Sequence, residues 1–272
     1  MSFRKYLLLP LVVRLSVRAP RDQRLAWERY WSEIGRTGPN GQVLWDADVR
    51  TELDATVGRL RVHADMSLPI VDVGCGNGRQ ARTLAAYAPR VVGLDAAESA
   101  VRRAVDESDG VPNVEFRVVD ATTPGLGERL HDELGDANVH LRGVLHQTDA
   151  ARRPSLVANL RALVGTRGTV HLCESDVRVD PLEFLQLQGV TPTSLPDGVR
   201  RLIAAGVRPP SHFGAPELAR YFPDPAWCVL ASGPTTMYGV PLERGGPVQQ
   251  LPGHYAVLRA REPGARPFGQ SA

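Results

Sequence analysis

The residues best suited to chemistry fall in one stretch, Ile70-Val71-Asp72-Val73-Gly74-Cys75-Gly76-Asn77-Gly78. A short apolar run carries an acid near its end, three glycines alternate, and a helical pattern follows. Glycine suits a sharp turn, and a place where a ligand must reach main-chain atoms with no Cβ between. A helix starting just beyond offers unpaired N–H groups to an anionic ligand group. The spacing is G-x-G-x-G, and Arg79 stands where a dinucleotide fingerprint needs its third glycine. A carboxylate at Asp72 would repel a pyrophosphate and could hold an ammonium. The pattern therefore favours a ligand with an amino-acid moiety over a dinucleotide.

Other candidates follow at intervals. Asp95 ends the next apolar run, and Asp120-Ala121 ends the one after. Asp72 and Asp95 are either ligand groups or caps of the helices behind them; Asp120 is also a good turn residue. His146 follows a fourth run, at the expected pocket mouth. It is either a general base, by the near-neutral titration of imidazole, or a structural residue. Glu174 ends a fifth run, as a helix cap or a pocket acid. His140 and His171 fall inside runs and read as packed or exposed residues. His212 could reach the pocket from a later segment. Tyr30, Trp31 and Trp45 read equally as core packing or as an aromatic lid whose faces suit a cation. Cys75 reads as a small side chain inside the loop, and no His, Asp or Glu group has metal-ligand spacing.

The elements that must position these residues alternate. Apolar runs at 70–73, 91–94, 114–119, 139–145 and 169–173 read as strands. Helical patterns lie at 79–87, 99–105 and 155–164, the last stopped by Gly165. Such alternation predicts a parallel sheet with helices on both faces. Two helices, 22–34 and 48–61, precede the first strand as a cap over 1–64. After 173 the rhythm breaks. Asp180-Pro181-Leu182-Glu183 has the order of a helix start, and 176–213 reads as a helical insertion over the site. A short helix at 216–221 and strands at 227–232 and 255–260 close a domain over 65–262, leaving a flexible tail, 263–272.

With these motifs in order, the sequence resembles the class I S-adenosylmethionine-dependent methyltransferases. Asp72, Gly74, Gly76 and Gly78 match that family's first motif, and Gly165 and Gly168 match its turn into strand five. The resemblance implies a Rossmann-like, seven-stranded, mostly parallel sheet. It implies that Asp95 with Ala96 holds the ribose hydroxyls and that Asp120 with Ala121 lies beside the adenine. Cys75 would join the glycines in the cofactor loop. The implied reaction is transfer of a methyl group from S-adenosylmethionine to O, N or C of a small organic molecule, with His146 as base and Trp31, Trp45 and His212 toward the acceptor. Two rivals stand beside it: a non-methylating reaction in the same pocket, such as cyclisation, and a non-catalytic cofactor-binding module. No Asn-Pro-Pro-Tyr-like tetrapeptide follows the fourth strand, which disfavours methylation of nucleic-acid bases or protein glutamine.

Composition agrees. The chain has 272 residues, 43% hydrophobic and 23% charged, enough for one large core. A net charge of +2 without a basic run gives no reason to expect a nucleic-acid partner. Three scattered cysteines argue against a disulfide framework or structural zinc and suit a reducing cytoplasm. Residues 6–13 form an apolar run behind Arg4 and Lys5. The run is too short to span a membrane, holds Pro10 and ends at Arg14. Docking on the protein is expected rather than anchoring at a membrane surface, with no stable membrane insertion. A homodimer is left open.

Overall fold

Five apolar runs pair as parallel strands: β1 (Ile70–Val73), β2 (Val91–Asp95), β3 (Val114–Val118), β4 (Asn138–Arg142) and β5 (Val170–Ser175). Two longer strands, β6 (Trp227–Gly239) and β7 (Gln249–Ala260), complete a seven-stranded sheet in the order β3-β2-β1-β4-β5-β7-β6. β7 runs antiparallel to both β5 and β6. The computed structural model describes residues 3–47, 49–242 and 245–261. The strand order reverses between β1 and β4, so the loops leaving those two strands part and open a crevice at the carboxyl edge.

Alternation along the strands sends side chains to two cores. Val71, Val73, Val92, Leu94, Val139 and Leu141 pack with Leu130, Leu156, Leu160 and Leu218. These leucines come from α6 (Leu126–Leu134), α7 (Arg153–Val164) and α10 (Ala215–Tyr221). On the other face Ile70 and Val91 meet Leu60 of α3 (Arg50–His63) and Leu84 of α4 (Arg79–Leu84). Asp72 and His140, paired in register, share this second face.

Before the sheet come a 3-10 turn (Phe3–Leu8), α1 (Leu9–Ser16) and α2 (Gln23–Ser32). Asp22 caps α2, accepting from the Arg24 and Leu25 amides at 2.8 and 3.2 Å. The expected start at Asp180 is present: its carboxylate caps α8 (Pro181–Leu187). α9 (Asp197–Ala205) follows it. Lys5, the only lysine, is 3% exposed and ion-pairs with Asp180 and with Glu183, the latter at 2.8 Å. Leu8, also buried, packs with Leu185, Val199 and Ile203.

Several boundaries differ from the sequence reading. β4 ends at Arg142, three residues early, because Gly143 takes φ +74° and turns the chain. His146 therefore stands in a turn. β5 runs on to Ser175, placing Glu174 inside the strand. The closing strands are longer than their apolar cores, since Pro234 hid part of β6; that strand is outermost, where a missing N–H is tolerated. α6 was not expected, because only Leu126, Leu130 and Leu134 mark its inner side. The expected helix start at Asp48 and the tail 263–272 lie outside the described residues.

α6 and α7 cross closely at Gly127. Its amide donates to Asn159 Oδ1 at 3.1 Å, and Asn159 Nδ2 donates to the carbonyls of Ala121 and Thr123. A Cβ on Gly127 would stand 2.1 Å from the Asn159 carbonyl oxygen. Gly127→Ala is expected to lower stability by about 1–3 kcal/mol, the cost of overpacking. Thermal melts by circular dichroism check this; an unchanged melting temperature would show that the two helices separate freely.

Candidate active site

A cavity of about 510 Å³ opens over the carboxyl ends of β1 to β4. That volume suits a small-molecule site. Gly74 and Gly76 line it from the loop after β1, Asp95 and Ala96 from the end of β2, and Asp120 and Ala121 from beyond β3. Six of the nine cofactor residues expected from the sequence thus meet on one wall.

The loop is shaped by its glycines. Gly74 and Gly76 take φ +71° and +55°, the left-handed region that favours glycine. A Cβ at Gly76 would lie 2.8 Å from the Trp31 indole, and one at Gly74 would lie 2.5 Å from Val144. Asp95 fastens the loop: Oδ2 accepts the Gly76 amide and Oδ1 the Ala97 amide, each at 2.9 Å. Each oxygen keeps a free lone pair, so a vicinal diol could still donate to it. Burial pushes the Asp95 carboxyl above its usual range, against these amides, which favour the charge. Asp120 is half-buried. Burial opposes its charge, yet the Thr122 hydroxyl and amide and the Arg152 guanidinium at 2.6 Å hold it below the usual range.

Asp72, Cys75 and Gly78 do not line this wall. Asp72 lies on the α3–α4 face, 3% exposed, with Oδ2 unpartnered. Asp72 therefore does not reach the cavity surface, where a ligand ammonium was expected, because strand alternation aims its side chain beneath α4. Cys75 turns inward against Gly93, and Gly78 makes room for the Phe116 ring.

His146 lines the cavity beside Gly143, whose missing Cβ leaves space for the imidazole edge. Its Nδ1 lies 2.6 Å from Glu174 Oε2. Glu174 is fully buried and also accepts the backbone amides of Val144, Leu145 and His146 at 2.9–3.1 Å. Burial opposes that charge, but His146 and these amides outweigh it and hold the carboxyl below its usual range. The Ser175 amide also approaches Nδ1, at 3.1 Å. One atom cannot both donate and accept, and the shorter contact to a charged oxygen decides. Nδ1 then carries the proton, and Nε2 keeps a lone pair in the cavity.

Four aromatic side chains, Trp27, Tyr30, Trp31 and Trp45, pack with centroids 5.4–6.1 Å apart. Tyr30 and Trp31 are buried in a core, and Trp27, Trp31 and Trp45 line the cavity. Buried polar links fasten this segment. Asp46 accepts from the Gly38 amide and from Asn77 of the glycine loop, both at 2.9 Å. Glu28 of α2 accepts the Ser99 amide at 3.0 Å, near the start of α5 (Glu98–Asp106).

His212 is half exposed, pairs with Glu217 at 3.1 Å and does not line the cavity. Residues missed in the sequence complete the wall. Arg142 is held by Glu52 of α3 and donates to the Tyr238 carbonyl at 3.0 Å. Gln147 and Gln188 line the cavity with Oε1 and Nε2, respectively, buried and unpartnered. No spacing in the sequence marks them. His140 and His171 stack beneath, fully buried, with Nδ1 atoms 3.1 Å apart. Desolvation pushes His140 down to about 3, and both rings stay neutral.

Residues 70–168 match a family model described as a methyltransferase domain. No curated protein matches the chain. A solved S-adenosylmethionine-dependent methyltransferase from Anabaena variabilis ATCC 29413 is 29% identical, with a TM-score of 0.77 over 89% of this chain and 97% of its own. N-methyltransferase NodS from Bradyrhizobium japonicum WM9, in complex with S-adenosyl-L-homocysteine, is 13% identical, with a TM-score of 0.55 over 89% and 100%. Magnesium protoporphyrin IX methyltransferase ChlM from Synechocystis PCC 6803, with the same ligand, is 18% identical, with a TM-score of 0.52 over 86% and 93%. These two show the fold alone. The chain carries a methyltransferase domain and has the Rossmann-like fold of the class I S-adenosylmethionine-dependent methyltransferases.

The buried acid has a measurable consequence. Desolvation, then the nearby Asp95 charge, pushes the Asp72 carboxyl up to about 7. An unfolded Asp titrates near ~3.9. The folded chain thus binds more protons between these values, and stability falls as pH rises through them. Asp72→Asn is expected to match the parent at about pH 4 and to exceed it by on the order of 4 kcal/mol at about pH 8. Urea unfolding at both pH values checks this; a constant difference would mean that Asp72 is charged throughout.

Proposed function

We propose that this protein is an S-adenosylmethionine-dependent methyltransferase acting on a small, largely apolar organic molecule. One observation carries the reading: the glycine loop, both strand-end acids, His146 and an apolar wall border a single cavity. When bound, S-adenosylmethionine supplies an activated methyl group. Asp95 accepts both ribose hydroxyls through its spare lone pairs. Asp120 and Ala121 border the adenine, and the Cβ-free loop at Gly74 and Gly76 lets the ligand reach main-chain atoms.

The acceptor side is built from Phe184, Leu185, Val199, Ile203, Met237 and Leu242. Such a lining recognises an apolar skeleton. Gln188, 6% exposed, lines the same cavity with Nε2 unpartnered. An unmet buried amide costs about 1–3 kcal/mol, so Gln188 favours an acceptor that offers it an oxygen. His146 Nε2 takes the proton of a hydroxyl acceptor as the oxygen attacks. Glu174 then faces an imidazolium, which its charge stabilises; it is a positioning residue, not a reacting one.

Incubation with methyl-labelled S-adenosylmethionine and fractionated small-molecule acceptors is expected to yield a labelled small product. Label that never leaves the methyl donor would overturn the reading. Asp95→Ala is expected to weaken S-adenosylmethionine binding by about 3 kcal/mol or more, since two charge-assisted hydrogen bonds are lost. Calorimetry reporting unchanged affinity would remove Asp95 from the ribose.

His146→Ala is expected to cut turnover of a hydroxyl acceptor by about 10²–10⁴-fold while cofactor affinity stays near the parent value. Glu174→Gln should lower turnover less and shift the pH profile. A normal turnover in His146→Ala would take the histidine out of the reaction.

A further inference from the structure

The first two dozen residues carry a surface that the reaction does not use. One side of α1 is committed inward: Leu11, Val12 and Leu15 pack with buried Leu8 against residues of α8 and α9. The opposite side is exposed. Leu9, Val13 and Val17 are 44%, 61% and 73% exposed, and Tyr6 before them is 51% exposed. Positions 9, 13 and 17 recur every fourth residue, so they form one stripe along the helix. Single exposed apolar side chains are ordinary, whereas a contiguous stripe marks a contact surface.

The charge beside that stripe has one sign. Arg14 and Arg18 follow Val13 and Val17 by one position, and Arg21 comes after the helix; all three are exposed. Among the described residues none of the three makes an ion pair. Residues 1–24 contain Arg4, Lys5, Arg14, Arg18, Arg21 and Arg24 against one acid, Asp22, which is engaged in capping α2. The same segment borders the cavity: Val12 and Ser16 line it, and so does Arg24, which is exposed at its rim.

We propose that the outer face of α1 seats the protein on an anionic lipid surface, with the cavity rim beside the contact. Apolar side chains enter the headgroup boundary while the arginines meet lipid phosphates and carboxylates, the arrangement of an interfacial helix. Eight residues rise about 12 Å, far short of a roughly 30 Å hydrocarbon core, so the helix lies in the interface and does not cross it. No helix among the described residues is long and apolar enough to cross. A second copy fits poorly: an isologous contact would set Arg14, Arg18 and Arg21 against their own kind. A polynucleotide would leave the apolar stripe in water. An acceptor dissolved in lipid would then need only to pass the Arg24 rim, although lipid binding itself does not depend on methyl transfer.

Flotation of the full chain with vesicles tests this. Binding is expected on phosphatidylcholine mixed with phosphatidylserine, weakly on phosphatidylcholine alone, and less at high salt. Each basic residue near an anionic surface is worth roughly fivefold. Arg14→Ser with Arg18→Ser should therefore weaken binding about 25-fold, and Val13→Asp should weaken it comparably. Arg167→Ser, exposed in another part of the chain, should leave it unchanged. None of the four positions lines the cavity, so S-adenosylmethionine affinity should match the parent. Absent flotation on anionic vesicles, or flotation that Val13→Asp and the double arginine variant do not weaken, would overturn the proposal. So would a dimer in sedimentation that Val13→Asp dissociates, since the stripe would then belong to a second copy.

Discussion

Parallel pairing is the constraint on which the rest depends. Each crossover must return the chain to the same edge before the next strand begins. The carboxyl ends of β1 to β5 therefore lie together, and every loop leaving them is a neighbour. The reversal of order between β1 and β4 then parts two of those loops. Gly74, Gly76, Asp95, Asp120 and His146 are scattered over more than seventy positions, yet they border one space for this topological reason.

Buried charge holds the parts of that space in register. Glu174 gathers three amides and the His146 ring, so the turn after β4 is built around a carboxylate. Arg142 and Glu52 tie β4 to α3 and to Tyr238 of β6. Asp46 and Glu28 fasten the N-terminal segment to the glycine loop and to α5. A buried ion pair need not add net stability, but losing one partner strands the other, commonly at about 3–5 kcal/mol. These contacts therefore act mainly as registration: each is satisfied in one arrangement and costly in others.

The N-terminal segment joins two roles through one short helix. Its inner face and Lys5 dock it on α8 and α9, which agrees with the expectation that the run lies on the protein. Its outer face, with Leu9, Val13 and Val17 exposed, is the one proposed to meet lipid. A helix eight residues long can be half core and half contact surface, because its period separates the two sides.

Much was legible in the sequence. The glycine loop, the alternation of apolar runs with helical patterns, and the acids at strand ends depend on local rules: backbone freedom at glycine, periodicity, and capping at Asp22 and Asp180. The sequence alone therefore determined the α/β class, the position of the glycine loop and the two strand-end acids that line the cavity. Tertiary structure decided the rest. That Asp72 points beneath α4, that Glu174 holds His146, that His212 pairs with Glu217 outside the cavity, and that Gln188 stands unpartnered in an apolar wall all depend on which elements meet. Spacing along the chain carries no record of such meetings, because packing brings together residues that local propensity treats as unrelated.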